Sequence, residues 1–217
     1  MESSTRVYRA TGTAQAAIIL APGAGAGQGH PFMVGYARAL AGSGFDVVTF
    51  DFPYMREGRR VPDPAPVLEA AYRSAIAWTR QEHVSAHRGL FIGGKSMGGR
   101  IATQVAASDP TLPIAGLVLL GYPLHPPGRP EKRRDAHLPR LGRPALFIQG
   151  SRDTFGSPDE LREALTTVVP APTLHIVEGG DHSFKVSRAA RSAASAPADI
   201  DAAIQAVIVG WMAGIVG

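Results

Sequence analysis

The chain has 217 residues, of which 45% are hydrophobic and 18% charged, and it contains no cysteine. This length and apolar content can bury a substantial core, which excludes disorder of the whole chain, and a single domain over residues 1–217 is the default expectation. The absence of cysteine excludes a disulfide framework, a thiolate metal site and a cysteine nucleophile, and it fits a reducing compartment, so we expect a cytoplasmic protein.

The net charge of +4 comes from 22 basic and 18 acidic residues, and all but three of the basic residues are arginines. Most arginines are scattered, and the one dense basic cluster runs from Arg129 to Arg143. We interpret this cluster as a solvated loop surface, with a basic rim that attracts acidic ligands as the alternative. Nucleic acid is not an expected partner.

Short apolar runs recur along the chain, each followed by Gly, Pro or Asp. These runs are Ala16–Ala21, Asp46–Phe52, Gly89–Gly94, Ala115–Tyr122, Pro144–Gly150 and Thr173–Gly179. They do not alternate with polar residues, which predicts strands that are covered on both faces, as in a parallel sheet. Helix-like stretches lie between them at Pro31–Ser43, Pro64–Gln81, Met97–Ser108 and Ser157–Val168. The alternation predicts an α/β protein, a three-layer α/β/α sandwich around a mostly parallel, doubly wound sheet.

Three further segments stand apart from this alternation. Pro123–Arg143 is rich in Pro and Arg and is expected to form a long loop or a small cap. Ser187–Ala198 is of low complexity and is expected to form a mobile connection. Ala202–Gly217 is apolar, but at 16 residues it is shorter than the roughly 20 that a membrane span needs, and its large residues recur at helical spacing. We therefore expect a last helix packed on the core, and no membrane partner. Met1–Ser4 lack the features of a secretory signal.

A serine lies between the third predicted strand and the helix that follows it. Gly94 to Gly98 (GKSMG) match G-x-S-x-G, in which a sharp strand-to-helix turn exposes the serine hydroxyl while small residues let the neighbouring backbone pass close. Gly89 to Ser96 also match G-x-x-x-x-G-K-[ST], the phosphate-binding loop. That motif needs a strand before its first glycine and a flexible loop after it. Here the strand-like residues lie between the glycines, so the nucleotide-binding interpretation is disfavoured.

A serine becomes a nucleophile when a base removes its proton and an acid orients the base. His182 follows the last predicted strand and Asp153 follows the strand before it. The chain order Ser96, Asp153, His182 is the one expected of an α/β-hydrolase. Asp181 is a rival acid, but it is badly placed to reach a ring nitrogen of the adjacent histidine.

The first apolar strand leads into a loop of alternating small residues, from Ala21 to Gly29. Its glycine spacing misses the dinucleotide fingerprint G-x-G-x-x-G. In a hydrolase such a loop presents a backbone N–H to the tetrahedral oxyanion. We therefore expect the amides of Ala24 and Met97 to form an oxyanion hole.

Other candidate residues give weaker signals. Lys95 could form a Ser–Lys dyad, but a structural ion pair is favoured. His83 and His87 lack the glutamate and the third ligand of a zinc site, so neither a metal nor another cofactor is expected. Aromatic and histidine side chains near strand ends either line the pocket or pack in the core: His30, Phe32, Tyr54 and Tyr122.

Taken together, these motifs resemble the α/β-hydrolases. The shared elements are PGAGAG (22–27), DFPY (51–54), GGKSMGGR (93–100), GYPLHPPG (121–128), QGSRDTFG (149–156) and GGDHSF (179–184). They are similar to the dienelactone-hydrolase-related group, and most similar to a small uncharacterised family that includes a chromatin-complex subunit and a testis-expressed protein. Dienelactone hydrolases use a cysteine nucleophile where this chain has Ser96, so lactone specificity is not carried over.

Two functions remain open at this point. The leading hypothesis is a serine hydrolase that cleaves a small carboxylic ester or thioester through an acyl-enzyme on Ser96. The alternative is a hydrolase-shaped protein-interaction module without turnover. The insertion after the fourth predicted strand is short, so we expect little or no lid and an open pocket suited to short acyl groups. The sequence does not reveal the oligomeric state.

Overall fold

The computed structural model of the protein describes residues 5–187 and 199–217. The strands are β1 (Thr5–Tyr8), β2 (Ala16–Ala21), β3 (Phe45–Phe50), β4 (Leu90–Lys95), β5 (Gly116–Leu120), β6 (Ala145–Gly150) and β7 (Thr173–Val177). The α-helices are α1 (Pro31–Gly42), α2 (Pro53–Arg56), α3 (Ala65–Glu82), α4 (Met97–Ser108), α5 (Pro158–Leu165) and α6 (Ile200–Val216). Short 3-10 helices occupy Val84–His87 and Leu138–Arg140.

The seven strands form one sheet in the order β1-β3-β2-β4-β5-β6-β7. All neighbouring pairs are parallel except β1 with β3, which is antiparallel. Ile19 in β2 lies beside Val48 in β3 and Ile92 in β4, so the middle of the sheet is a continuous band of branched side chains. The carboxyl ends of β2, β4, β5, β6 and β7 therefore meet at one edge.

Helices cover both faces of the sheet. On one face, Leu40 of α1 and Ile204 of α6 belong to the same buried cluster as Ile18 of β2. On the other face, Tyr72 of α3 and Ile101 of α4 pack in a second buried cluster that also includes residues of α5. This arrangement confirms the predicted three-layer α/β/α sandwich with a mostly parallel, doubly wound sheet.

The two edge strands differ from the sequence predictions. The four residues of β1 were not predicted, because a short strand with only partly buried side chains gives no apolar run. Thr173–Gly179 was predicted to be covered on both faces, and this is wrong. In the structure β7 ends at Val177, and Thr173 is exposed, because β7 has a neighbour on one side only.

The segment Pro123–Arg143 is a loop that packs beside α4 and does not form a lid. Leu124, Leu138 and Leu141 are buried in the same cluster as α4, and the His137 ring lies 2.8 Å from the Thr103 hydroxyl of that helix. Most of the basic side chains in this segment are exposed, which agrees with a solvated loop surface.

The last helix was predicted at Ala202–Gly217 and is α6, which buries one stripe of apolar side chains: Ile200, Ile204, Ile208 and Met212. In the two described ranges, no helix combines the length and the apolar character that crossing a membrane requires. The predicted connection at Ser187–Ala198 lies outside the described residues from position 188 onward. Residues 1–4, on which the expectation about a secretory signal rests, also lie outside them.

Candidate active site

The turn between β4 and α4 holds Ser96 at the carboxyl edge of the sheet. Ser96 has φ 51° and ψ −115°, a conformation that strains any residue other than glycine. A Cβ on Gly94 or Gly98 would overlap the carbonyl oxygen of Ala21 at the end of β2. The turn can therefore approach β2 only because both positions lack a side chain, as the G-x-S-x-G motif predicts. Since β4 fills the interval between Gly89 and Gly94, this segment does not form a phosphate-binding loop.

Two hydrogen bonds connect Ser96 to a histidine and an aspartate from distant parts of the chain. The Nε2 atom of His182 lies 2.9 Å from Ser96 Oγ, and its Nδ1 atom lies 2.7 Å from Asp153 Oδ2. A carboxylate only accepts hydrogen bonds, so Nδ1 carries the proton and Nε2 of the neutral ring is free to accept the serine hydroxyl proton. The structure thus brings together all three residues that the sequence singled out.

The carboxylate of Asp153 is almost completely buried and is held by three donors. Oδ2 accepts from the Gln149 side chain at 2.9 Å as well as from His182, and Oδ1 accepts from the backbone N–H of Phe155 at 2.8 Å. Gln149 also accepts from the backbone N–H of Tyr122 at 2.8 Å, which ties the end of β6 to the loop after β5. Gln149 was not predicted as a site residue, although a polar residue near the end of an otherwise apolar strand is a usable signal.

His182 is held by contacts on both sides of its loop. Its ring stacks on Phe155 with 4.2 Å between centroids, and its carbonyl oxygen accepts a hydrogen bond from Lys95 Nζ. Asp181 does not orient the ring, since its Oδ1 accepts from the backbone N–H groups of Ser183 and Lys185 and closes the turn.

The prediction that Lys95 forms a structural ion pair is wrong. Among the described residues its ammonium group has no carboxylate within ion-pair distance, and it lies 5.9 Å and 5.5 Å from the ring centroids of Phe32 and Phe184. Burial lowers the pKa of Lys95 to about 8, against the smaller opposing effects of Asp153 and Asp181. Lys95 therefore reaches the His182 loop as a half-buried hydrogen-bond donor.

The loop after β2 lies directly beside Ser96. A Cβ on Gly23 would be 3.6 Å from the Cβ of Ser96, and the Tyr54 hydroxyl pins the loop by donating to the carbonyl of Ala24 at 2.9 Å. Ala24 and Met97 line the cavity around Ser96, and their backbone N–H groups have no acceptor within the described part of the chain.

A cavity of about 1140 Å³ opens over Ser96 and His182. His30 and Phe32 line it, whereas Tyr54 and Tyr122 are buried in the core. Two arginines that the sequence analysis did not single out for the site, Arg100 and Arg134, also line it. The described ranges contain no cluster of three or more His, Cys, Asp or Glu side chains suited to a metal ion.

Comparison with known proteins places this chain in a family. A model of the family described as alpha/beta hydrolase domain matches residues 14–212. The chain belongs to this family. Its fold is similar to an α/β serine hydrolase without lid from Xanthomonas campestris, with a TM-score of 0.66, 22% sequence identity and coverage of 83% of this chain and 80% of that chain.

Two further solved structures share the α/β-hydrolase fold with this chain. A dienelactone hydrolase from Anabaena variabilis has a TM-score of 0.73 at 20% identity, with 97% of this chain and 91% of that chain covered. Est1E from Butyrivibrio proteoclasticus, solved with ferulic acid bound, has a TM-score of 0.75 at 11% identity, with 98% and 94% covered. At these identities the likeness establishes the fold. The predicted relationship to the chromatin-complex and testis-expressed proteins stays a prediction.

Proposed function

We propose that this α/β-hydrolase cleaves a carboxylic ester or thioester through an acyl-enzyme on Ser96. The observation that carries the proposal is the pair of hydrogen bonds from His182, at 2.9 Å to Ser96 Oγ and 2.7 Å to Asp153 Oδ2. A solvated or structural serine has no need of a neutral imidazole held in one tautomer, whereas a serine nucleophile depends on one.

In the first half of the reaction, Ser96 Oγ attacks the substrate carbonyl carbon while His182 Nε2 takes the hydroxyl proton. The carbonyl electrons move onto the oxygen, and the resulting oxyanion accepts hydrogen bonds from the Ala24 and Met97 amides. One such donor typically contributes about 3 kcal/mol of transition-state stabilisation. As the tetrahedral intermediate collapses, the C–O or C–S bond breaks and His182 passes its proton to the leaving alcohol or thiol.

In the second half, water attacks the acyl carbon of the ester on Ser96. His182 Nε2 takes a proton from that water, and it returns the proton to Ser96 Oγ when the acid product leaves. Asp153 keeps Nδ1 protonated and stabilises the imidazolium that forms in both halves. Its buried position and three donors, which include Gln149, fix the carboxylate for this role.

The cavity supports a small-molecule acyl substrate. Its wall combines the aromatic Phe32 with polar side chains, and within residues 5–187 and 199–217 no segment forms a lid over it. A volume of about 1140 Å³ is more than a short acyl group needs, so the preference for short chains remains a prediction. Hydrolysis rates across p-nitrophenyl esters of increasing chain length test it, and a clear preference for long acyl chains would contradict it.

The direct test is the Ser96→Ala variant with p-nitrophenyl esters and aryl thioesters. Removing the nucleophile is expected to lower kcat by up to about 10⁶-fold while the fold is retained. Ser183→Ala is the matched control, because Ser183 also lines the cavity but its hydroxyl has no part in the proposed chemistry, and it should keep its activity. Equal turnover by wild type and Ser96→Ala would overturn the proposal. The alternative, an interaction module, predicts no turnover by either.

A further inference from the structure

Two arginines in the cavity wall have no role in the proposed reaction. Arg100 lies on α4 one turn after Ser96, and its backbone N–H donates to the Ser96 carbonyl at 3.0 Å. Arg134 belongs to the loop after β5. Both residues are half-buried and line the same cavity as Ser96. Both arginines therefore border the space in which a substrate would bind.

Neither guanidinium has a carboxylate partner within the described residues. Nη1 of Arg100 donates to the Gln104 side chain at 3.2 Å, and its Nε is buried without any acceptor. Glu69 on α3 acts on Arg100 only through space and forms no ion pair with it. The neighbouring Arg133 is different, because it pairs with Asp135 at 2.7 Å and with Glu163 at 3.6 Å.

Holding these two cations together is unfavourable without an anion. Burial lowers the pKa of Arg100, and the positive charge of Arg134 lowers it further. A guanidinium nevertheless stays charged, so the cost of removing it from water is not relieved by loss of a proton. An anion bound between the two side chains would offset this cost for both.

The carboxylates that line the cavity are already engaged elsewhere. Asp201 accepts a hydrogen bond from the Tyr36 hydroxyl at 2.9 Å, and Asp199 caps α6 by accepting from the Ala202 N–H at 3.0 Å. These two aspartates oppose four Lys and Arg side chains in the cavity wall. Among the residues that the structure describes, the cavity wall thus carries more positive than negative side chains.

We propose that Arg100 and Arg134 form an anion subsite that binds a free carboxylate of the substrate. Guanidinium groups bind carboxylates through paired, charge-assisted hydrogen bonds. The proposed substrate is therefore an ester or thioester that carries a carboxylate, either in its acyl part or in its alcohol or thiol part. That the bound carboxylate belongs to a substrate rests on the proposed function, whereas the binding of an anion at this subsite does not.

Binding tests the subsite without any turnover. In the Ser96→Ala background, calorimetry with glutarate is expected to show binding that neutral glutaramide lacks. Adding Arg100→Gln or Arg134→Gln should weaken glutarate binding by about 10- to 100-fold, the range for a hydrogen-bonded charge. Arg133→Gln is the matched control and should leave the affinity unchanged, and Arg100→Lys should retain part of it. No glutarate binding, or an equal loss in Arg133→Gln, would overturn the subsite.

Kinetics test its use by a substrate, with two matched pairs of esters. One pair carries the carboxylate in the acyl part, mono-p-nitrophenyl glutarate against p-nitrophenyl valerate. The other carries it in the alcohol part, 4-acetoxybenzoate against its methyl ester. We expect higher kcat/KM for the anionic ester of at least one pair, and we expect Arg100→Gln and Arg134→Gln to remove that preference.

The outcomes separate this inference from the proposed function. Ser96-dependent hydrolysis with no preference in either pair would overturn the anion subsite and leave the serine hydrolase standing. Arginine-dependent binding of glutarate without hydrolysis of any ester would overturn the serine hydrolase and leave the anion subsite standing.

Discussion

Ser96 occupies a backbone conformation that costs free energy, with φ 51° and ψ −115°. Such strain persists only where the surroundings over-determine it, and here the glycines on either side and the end of β2 leave the turn no alternative. Around Ser96, individual side chains hold the other parts of the site in place. Asp153 fixes the tautomer of His182, Gln149 fixes Asp153, and Lys95 holds the backbone of the His182 loop.

The first residue-scale prediction concerns the choice between two acids. Asp153→Asn keeps the shape of the side chain but offers an amide where the ring needs an acceptor, so kcat for ester hydrolysis should fall by about 10³- to 10⁴-fold. Asp181→Asn is the matched control. Its Oδ1 can still accept the two turn hydrogen bonds, so its kcat should stay near that of wild type. A larger loss in Asp181→Asn would mean that the wrong acid has been identified.

The second prediction follows from the pKa of Lys95, which burial lowers from its ordinary 10.5 to about 8. Between these values the unfolded chain binds a proton that the folded protein has released, so Lys95 makes the protein more stable as pH rises. The free energy of unfolding of wild type relative to Lys95→Met should therefore increase by roughly 1–3 kcal/mol from pH 7 to pH 10.

Chemical denaturation at several pH values measures this difference. Lys132→Met is the control, since Lys132 is exposed and its difference from wild type should not change with pH. A constant difference between wild type and Lys95→Met over the same range would show that Lys95 is not buried as described.

At the scale of elements, three turns at the same edge of the sheet hold the hydrogen-bonded residues. Ser96 follows β4, Asp153 follows β6 and His182 follows β7. The sheet order fixes the distances between these turns, because parallel neighbours end at the same level. The site therefore depends on how tightly each turn packs against the strand beside it.

The β4–α4 turn provides an element-scale prediction. In Gly98→Ala the new methyl group would overlap the Ala21 carbonyl oxygen, so the turn must shift. We expect a loss of about 1–3 kcal/mol of stability, together with a fall in kcat. Gly210→Ala is the matched control in the interior of α6, where a Cβ meets nothing within 4 Å, and it should stabilise the protein by about 0.5–1 kcal/mol. Thermal and urea unfolding of both variants measure the effect, and equal effects of the two substitutions would contradict this account of the turn.

At the scale of the whole molecule, the sequence predicts those structural features that a periodic or local residue pattern encodes. The central strands are apolar throughout because both faces are covered, so the fold could be inferred. Ser96 and Asp153 follow two of these strands and His182 follows the apolar run of the edge strand β7, so these residues could be inferred as well. The edge strand β1 could not, because four partly buried residues form no apolar run.

Contacts between residues far apart in the sequence explain why the other site residues were not predicted. Gln149 reaches the loop after β5, and Arg100 and Arg134 line one cavity from different elements, which no local pattern encodes. The mistaken ion pair of Lys95 has the same origin, since its acceptor is a backbone carbonyl 87 positions away along the chain.

The most direct test of the central claim, that His182 activates Ser96 as a nucleophile, is covalent labelling with a fluorophosphonate followed by peptide mass spectrometry. Wild type should carry the phosphonyl adduct on the peptide that contains Ser96, and folded His182→Ala should react far more slowly. Absence of an adduct on Ser96 in the folded wild type, or labelling of His182→Ala at the wild-type rate, would contradict the claim.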